Sequence, residues 1–247
     1  PEPLEQVRLF APYAFRTVLE RAITAADYAA IAQDNARRWE VRSQLAALNP
    51  EFCTASFRKL QRAKAVLRWM GSWYTMLVAV DPEGTEDVDQ ELIDEITAFL
   101  GLYERMGYDL LVAPAQYVPL AVALRICVLS NYLRGHVEAA LIGVLGNRVL
   151  PNGKLGFFHP DNLTFGEGIF VSRLVAAAQS VPGVQDVKVT QVERFEIGEP
   201  PPTADLPGEE LPPGSVLALG PLEIARLDND PDFPENGRLV LDLRGGR

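Results

Sequence analysis

The sequence predicts an α+β protein: two small mixed α/β modules in tandem, with long loops and a closing β-region. Three observations carry that expectation. Val88, Leu92, Ile96, Phe99, Leu100 and Tyr103 recur at three- and four-residue steps, the period of an amphipathic helix. Two apolar runs, 63–69 and 74–80, flank Gly71-Ser72 as hairpin arms flank a turn. A third run, 120–128, is almost continuously apolar, as expected of a buried strand.

The first module, 1–113, is expected to order as helix, hairpin, helix, strand. Thr24-Ala25-Ala26-Asp27 supplies a hydroxyl for an orphan amide and an acid in the first turn, so a helix should start there and run through Tyr28 and Ile31. In the segment 37–58, Trp39, Val41, Leu45 and Leu48 mark a further helix ended by Asn49-Pro50. The hairpin follows, then a turn at Asp81-Pro82-Glu83-Gly84, the amphipathic helix stopped near Gly107, and a strand over 108–112.

The second module, 114–247, opens where Pro114 and Pro119 bracket a crossing into the strand 120–128. Val137, Ala140, Leu141, Val144 and Leu145 predict a helix reaching Gly146, followed by a loop over 146–168 rich in Gly, Pro and Asn. A helix over 169–181 should be halted by Pro182-Gly183, and 184–195 should form a strand. Residues 198–214 carry six prolines and are expected to be a mobile loop. Leu217, Leu219, Leu222, Ile224 and Leu227, then Leu239, Leu241 and Leu243, predict closing strands.

Composition narrows the function classes. With 23 Lys+Arg against 33 Asp+Glu the net charge is −10, which repels phosphate and argues against nucleic-acid binding. The dense basic spots, Arg37-Arg38 and 58–64, are expected to be solvated helix or strand edges. No run reaches the roughly 18 apolar residues of a membrane span, so membrane insertion is not expected. Pro1-Glu2-Pro3-Leu4-Glu5 has neither a basic region nor an apolar stretch, so no secretion signal is visible. The missing initiator Met is expected of processing or of a piece of a longer chain. Cys53 and Cys127 form no metal pattern and fit a reduced cytoplasmic history.

The search for chemistry returns no catalytic, cofactor or metal site. His136 sits at a helix start without a partner at ligand spacing. His159, in Phe157-Phe158-His159-Pro160-Asp161-Asn162, could serve acid–base or metal chemistry, but a tight turn held by Asp161 and Asn162 between aromatic anchors is favoured. The stretch 146–154 lacks the glycine spacing and the Ser or Thr of a phosphate loop. Asp228, Asp230 and Asp232 alternate as in a calcium loop, yet Phe233 and Leu239 stand where glycine and a bidentate Glu are needed. A turn organised by side-chain to backbone hydrogen bonds is expected instead. Glu209-Glu210 lie in proline-rich sequence, a poor support for catalytic carboxylates.

Leu67-Arg68-Trp69-Met70-Gly71-Ser72-Trp73-Tyr74 resembles the baseplate assembly proteins of the baseplate J-like family. So do Gly156-Phe157-Phe158-His159-Pro160-Asp161-Asn162-Leu163-Thr164-Phe165-Gly166 and Leu222-Glu223-Ile224-Ala225-Arg226-Leu227-Asp228-Asn229-Asp230 with Pro234-Glu235-Asn236-Gly237-Arg238. Glu20-Arg21-Ala22-Ile23-Thr24-Ala25-Ala26-Asp27-Tyr28 also fits, so the resemblance runs over nearly the whole chain. It departs at 37–58, which is longer than the usual connection and reads as an elaboration, and at the N-terminus, where the family is usually longer.

The resemblance implies a mechanical role in the inner baseplate wedge of a contractile phage tail or phage-tail-like injection machine. The partners it implies are a related wedge subunit, further copies in a six-fold ring, the central spike or hub and the sheath-initiating proteins. It places the chain in the bacterial cytoplasm during assembly and then in the baseplate of the particle. The motif residues, Trp69, Trp73, Gly156, Phe157, Phe158, His159, Pro160, Asp161, Asn162, Phe165, Gly166, Arg226, Asp228, Asn229, Asp230 and Asn236, become interface candidates. Two other readings remain: a cell-wall hydrolase centred on His159, Asp161 and Glu167, and a soluble adaptor.

Overall fold

The computed structural model describes residues 3–6, 8–9, 19–48, 56–85, 87–151, 153–195 and 210–247, with backbone alone at 45–48. Cys53, Asn49-Pro50 and most of the proline-rich stretch 198–214 therefore lie outside the described residues. The chain divides into two units, Pro1–Ala115 and Gln116–Arg247, and both combine helices with a mixed sheet. The α+β class is what the sequence predicted.

The first unit begins with helix α1, Ala25–Gln33. Its N-cap is the capping box expected from Thr24 and Asp27: the Thr24 hydroxyl accepts from the Asp27 amide, and Asp27 Oδ2 accepts from the Thr24 amide at 2.7 Å. These bonds hold the Asp27 carboxyl below the usual carboxylate range, led by the Thr24 amide. Helix α2, Asn35–Leu48, follows after Asp34. Strands β1, Leu60–Trp69, and β2, Tyr74–Pro82, form the predicted hairpin, antiparallel in register with Ala63 opposite Val80 and Trp69 opposite Tyr74.

Helix α3, Gln90–Gly101, starts two residues later than the apolar period implied, because the Asp89 side chain caps the Leu92 amide and leaves Val88 outside. It returns the chain to β3, Asp109–Pro114, parallel to β2. Ala63, Ala65, Met76, Val78, Val80 and Val112 of the sheet bury against Tyr28, Ile31, Leu92, Ile96 and Leu100 of the helices.

One sequence reading is corrected here. Arg38 is not a solvated helix edge: it is 1% exposed. Its guanidinium bonds Glu95 at 2.8 Å and Asn35 at 3.1 Å, and Arg42 meets the other Glu95 oxygen at 2.6 Å. Asn35, Arg38 and Arg42 fall on one face of α2 at three- and four-residue steps, and that face turns toward α3. Burial lowers the Arg38 pKa, against the pull of Glu95. Arg37 is likewise engaged, donating to the Leu19 carbonyl and lying over the Tyr103 ring. Helix α2 is thus tied to the same core as α1 and α3.

The second unit is built on β4, Gln116–Val128, the longest strand. The sequence placed its start after Pro119. The strand instead runs straight through that proline, because Pro119 lies where the antiparallel ladder with β6, Val184–Arg194, has ended, so no interior bond needs its missing N–H. The opposite edge of β4 is divided. Strand β8, Glu223–Arg226, pairs parallel with residues 116–119, and β9, Arg238–Gly245, pairs parallel with 121–128.

Helices α4, Arg134–Leu145, and α5, Val171–Gln179, pack on each other and against β9 and β6 respectively. They add Val137, Leu141, Leu145, Leu174 and Ala178 to the buried set, beside Leu120, Val122, Leu124 and Ile126 of β4. The predicted helix over 169–181 is shorter, because Ile169–Phe170 pair as β5 with β7, Val216–Leu217, before α5 begins.

Candidate functional site

The residues singled out by the sequence fall at three places, and these differ in kind. The first is the seam on β4 where β8 stops and β9 starts. Chain leaving Arg226 must loop out and come back beside Leu120 within a dozen residues. Asn229 adopts a positive φ of 50°, and its Oδ1 accepts from the Leu239 amide at 2.9 Å. Asp230 Oδ1 accepts from the Asp232 amide at 2.9 Å, the side-chain turn the sequence implied. Asp228 takes Arg226 on one oxygen, at 2.6 and 2.9 Å, and Asn147 on the other at 3.1 Å. The Asn236 carbonyl accepts from the Asp228 amide at 3.2 Å, and Asn236 ends a short 3-10 turn, Pro234–Asn236.

Gly237 closes the seam at φ 104°, and a Cβ there would stand 2.9 Å from both the Arg226 and Leu120 carbonyl oxygens. Only glycine fits. Asp228 and Asp230 are thus committed to holding a crossing. Among the described residues, no group of three or more His, Cys, Asp or Glu is placed to hold a metal ion.

The second place is the loop 146–168. It is more structured than its composition implied: a bridge pairs Val149 with Leu155, and Gly156 passes so close to Gly146 that a Cβ would meet its carbonyl oxygen at 2.1 Å. Phe158 is buried at 1% exposure, in edge contact with the half-buried Phe157 at 4.9 Å between ring centroids. His159 Nδ1 accepts from the Asp161 amide at 3.1 Å and caps the 3-10 turn Pro160–Asn162. Asn162 Nδ2 donates to the Phe157 carbonyl at 3.2 Å. Phe165 is half-buried, and the Gly166 amide donates to the Glu223 carbonyl, fastening the loop to β8.

Of the hydrolase trio, His159 Nδ1 and Asp161 Oδ2 lie 3.8 Å apart within the turn, and each of His159 and Glu167 has another partner. Glu167 is taken up by Arg173 and by Thr164 Oγ1, while the accepting nitrogen of His159 is used by its own turn. Glu223, which the sequence reading passed over, is the better-defined carboxylate. It receives both Arg194 guanidinium nitrogens, at 3.0 and 2.6 Å, and the Gly220 amide at 2.6 Å. Arg194, then the Gly220 amide, hold its carboxyl below the usual range against a partly opposing burial. Alternation along the strand leaves such a cross-strand pair invisible until register is known.

The third place is the β1–β2 hairpin tip. Trp69 and Trp73 are 55% and 56% exposed, with Leu67, Met70 and Tyr74 also exposed beside them. Trp69 and Tyr74 are directly opposed and touch edge to face at 5.0 Å, and Tyr74 reaches Tyr108 at 6.5 Å. The tip therefore presents large aromatic and aliphatic side chains to solvent.

Residues 51–113 match the family model described as the Baseplate J-like central domain. Over that stretch the chain is similar to a baseplate J-like central domain. That match contains the whole β1–β2–α3 unit and most of β3, including Trp69 and Trp73, and it takes in residues 51–58 of the segment read as an elaboration. The baseplate J-like match does not extend to the 156–166 and 222–238 motifs. Among solved structures, the chain is similar to one in the six-fold symmetrised cryo-EM structure of the anti-feeding prophage baseplate, at 12% identity and a TM-score of 0.42. The likeness covers 98% of this chain and 42% of that one, so the chain spans less than half the length of that structure's subunit. No curated protein sequence matches.

Proposed function

We propose that this chain is a structural component of the baseplate wedge of a contractile phage tail or contractile injection system, without catalytic activity, joining neighbouring subunits into a ring around a central spike. The observation that carries the reading is the match of 51–113 to the Baseplate J-like central domain, with two exposed tryptophans on its hairpin tip. The other motifs support it by what they do. His159, Asp228, Asp230 and Asn236 hold turns and crossings, the use a structural part makes of such residues. A related wedge subunit, further copies of the chain, the spike and the sheath-initiating proteins are its proposed partners. Assembly takes place in the bacterial cytoplasm.

The test is quantitative mass spectrometry of purified sheathed particles. The chain should be present in a multiple of six copies per particle. Its absence from sheathed particles would remove this role. Cleavage of peptidoglycan by the purified chain, lost in His159→Ala, would replace it with the hydrolase.

A further inference from the structure

We propose that the outer edge of β1 accepts an extended segment of a partner protein as an additional strand, one whose side chains alternate between acidic and apolar. This rests on the chain working in an assembly and names the chemistry of one partner.

The hydrogen-bond pattern of the hairpin decides which backbone groups are available. The Met70 amide donates to the Trp73 carbonyl at 3.0 Å, so residues 70 and 73 are a bonded pair. Antiparallel ladders alternate bonded and non-bonded pairs, so Arg68, Val66 and Lys64 also bond to β2. Ala65, Leu67 and Trp69 then turn their N–H and C=O groups away from β2. Two bonds check this phase independently. The Ala63 carbonyl, in the same outward set, accepts from Gln33 Nε2 on α1 at 2.9 Å. Val80, opposite Ala63, gives its carbonyl to the Ala115 amide beyond β3.

Among the described residues, the edge of β1 is therefore covered by side chains from α1 and α2 at Leu60 and Ala63, where Asn35 and Gln33 bond the backbone, and open from Ala65 to the tip. The strand sequence sets what can lie there. On one face stand Lys64 and Arg68, both exposed and without an ion-pair partner among the described residues. On the other stand Ala65, Leu67 and Trp69, of which Leu67 and Trp69 are exposed apolar surface. An incoming strand alternates its side chains in the same way, acidic beside Lys64 and Arg68, apolar beside Leu67 and Trp69. A second copy pairing edge to edge would bring these cations together, which disfavours it.

The probe is a capped, fluorescein-labelled peptide of alternating glutamate and valine, titrated into the full chain by anisotropy, with amide hydrogen exchange read on the same complex. The peptide should slow exchange at Ala65, Leu67 and Trp69 about tenfold or more, while Val66 and Arg68, already bonded to β2, stay unchanged. Lys64→Glu with Arg68→Glu should weaken binding about tenfold or more. Leu67→Pro removes an outward N–H together with the Leu67 side chain, leaves the bonds to β2 in place and should abolish binding. If Leu67→Pro unfolds the chain, the exchange pattern of the unsubstituted chain decides.

Unchanged exchange at those three amides, or equal binding of a lysine–valine peptide, overturns the proposal. Uptake of the chain onto phosphatidylglycerol vesicles, without peptide binding, would assign the tip to a membrane surface and overturn it too. Peptide failure with the chain still found in sheathed particles removes strand addition alone. Peptide binding with the chain missing from particles removes the baseplate role alone.

Discussion

The hairpin tip of the first unit and the β8–β9 seam of the second both carry family-like motifs, and they use them in opposite ways. At the seam, Asp228, Asn229 and Asn236 spend their hydrogen-bonding capacity on neighbours in the same unit. At the tip, Trp69 and Trp73 leave more than half of their surface in solvent. A motif residue is therefore no guide by itself to an interface: burial and bond partners decide whether it holds the fold or meets another molecule. The loop 146–168 belongs with the seam, because Phe158 is core and Asn147 reaches Asp228.

That contrast predicts a ladder of effects. Phe158→Ala removes a fully buried ring and should destabilise the second unit by about 3–5 kcal/mol, read as a lowered urea midpoint. A loss under about 1 kcal/mol would mean the loop is peripheral after all. Asp228→Ala should cost about 1–3 kcal/mol, because it leaves Arg226 and Asn147 short of an acceptor in partly buried positions. Asp228→Asn keeps one acceptor oxygen and should cost less. Equal losses in the two variants would contradict this, because the retained acceptor would then contribute nothing.

A smaller effect should follow pH. The Glu223 carboxyl titrates lower in the folded chain than in the unfolded one, so the folded state favours its ionised form. That contribution is present above the ordinary carboxylate range and is lost as pH falls through the folded value. The gap in urea midpoint between the native chain and Glu223→Gln should be widest near neutral pH and shrink on acidification. A gap that widens on acidification would contradict the assignment.

Much of this arrangement was legible in the residues. The Thr24–Asp27 capping box, the hairpin around Gly71-Ser72 and the Asp230 turn each depend on a few neighbours in sequence. What could not be read depends on long-range register. Arg38 looked like one of a solvated basic pair, because its partner Glu95 lies 57 residues away. Strand β4 could not be seen to cross Pro119, since that depends on where β6 ends. The division of one β4 edge between β8 and β9 is likewise a property of the assembled sheet, as is the need for glycine at 237. The aromatic tip was flagged by resemblance, but only the structure distinguishes its exposed rings from the buried Phe158.

The outward half of the comparison carries the functional claim, and it makes the smallest demand on stability. Trp69→Ala with Trp73→Ala should change the unfolding free energy of the isolated chain, read from its urea midpoint, by no more than about 1 kcal/mol, because neither ring is buried. The direct measurement is complementation of a strain lacking the chain with this double variant, followed by electron microscopy of its particles. The account predicts a folded, soluble variant and particles without a closed baseplate. Normal sheathed particles that assemble and contract with both tryptophans removed would contradict it.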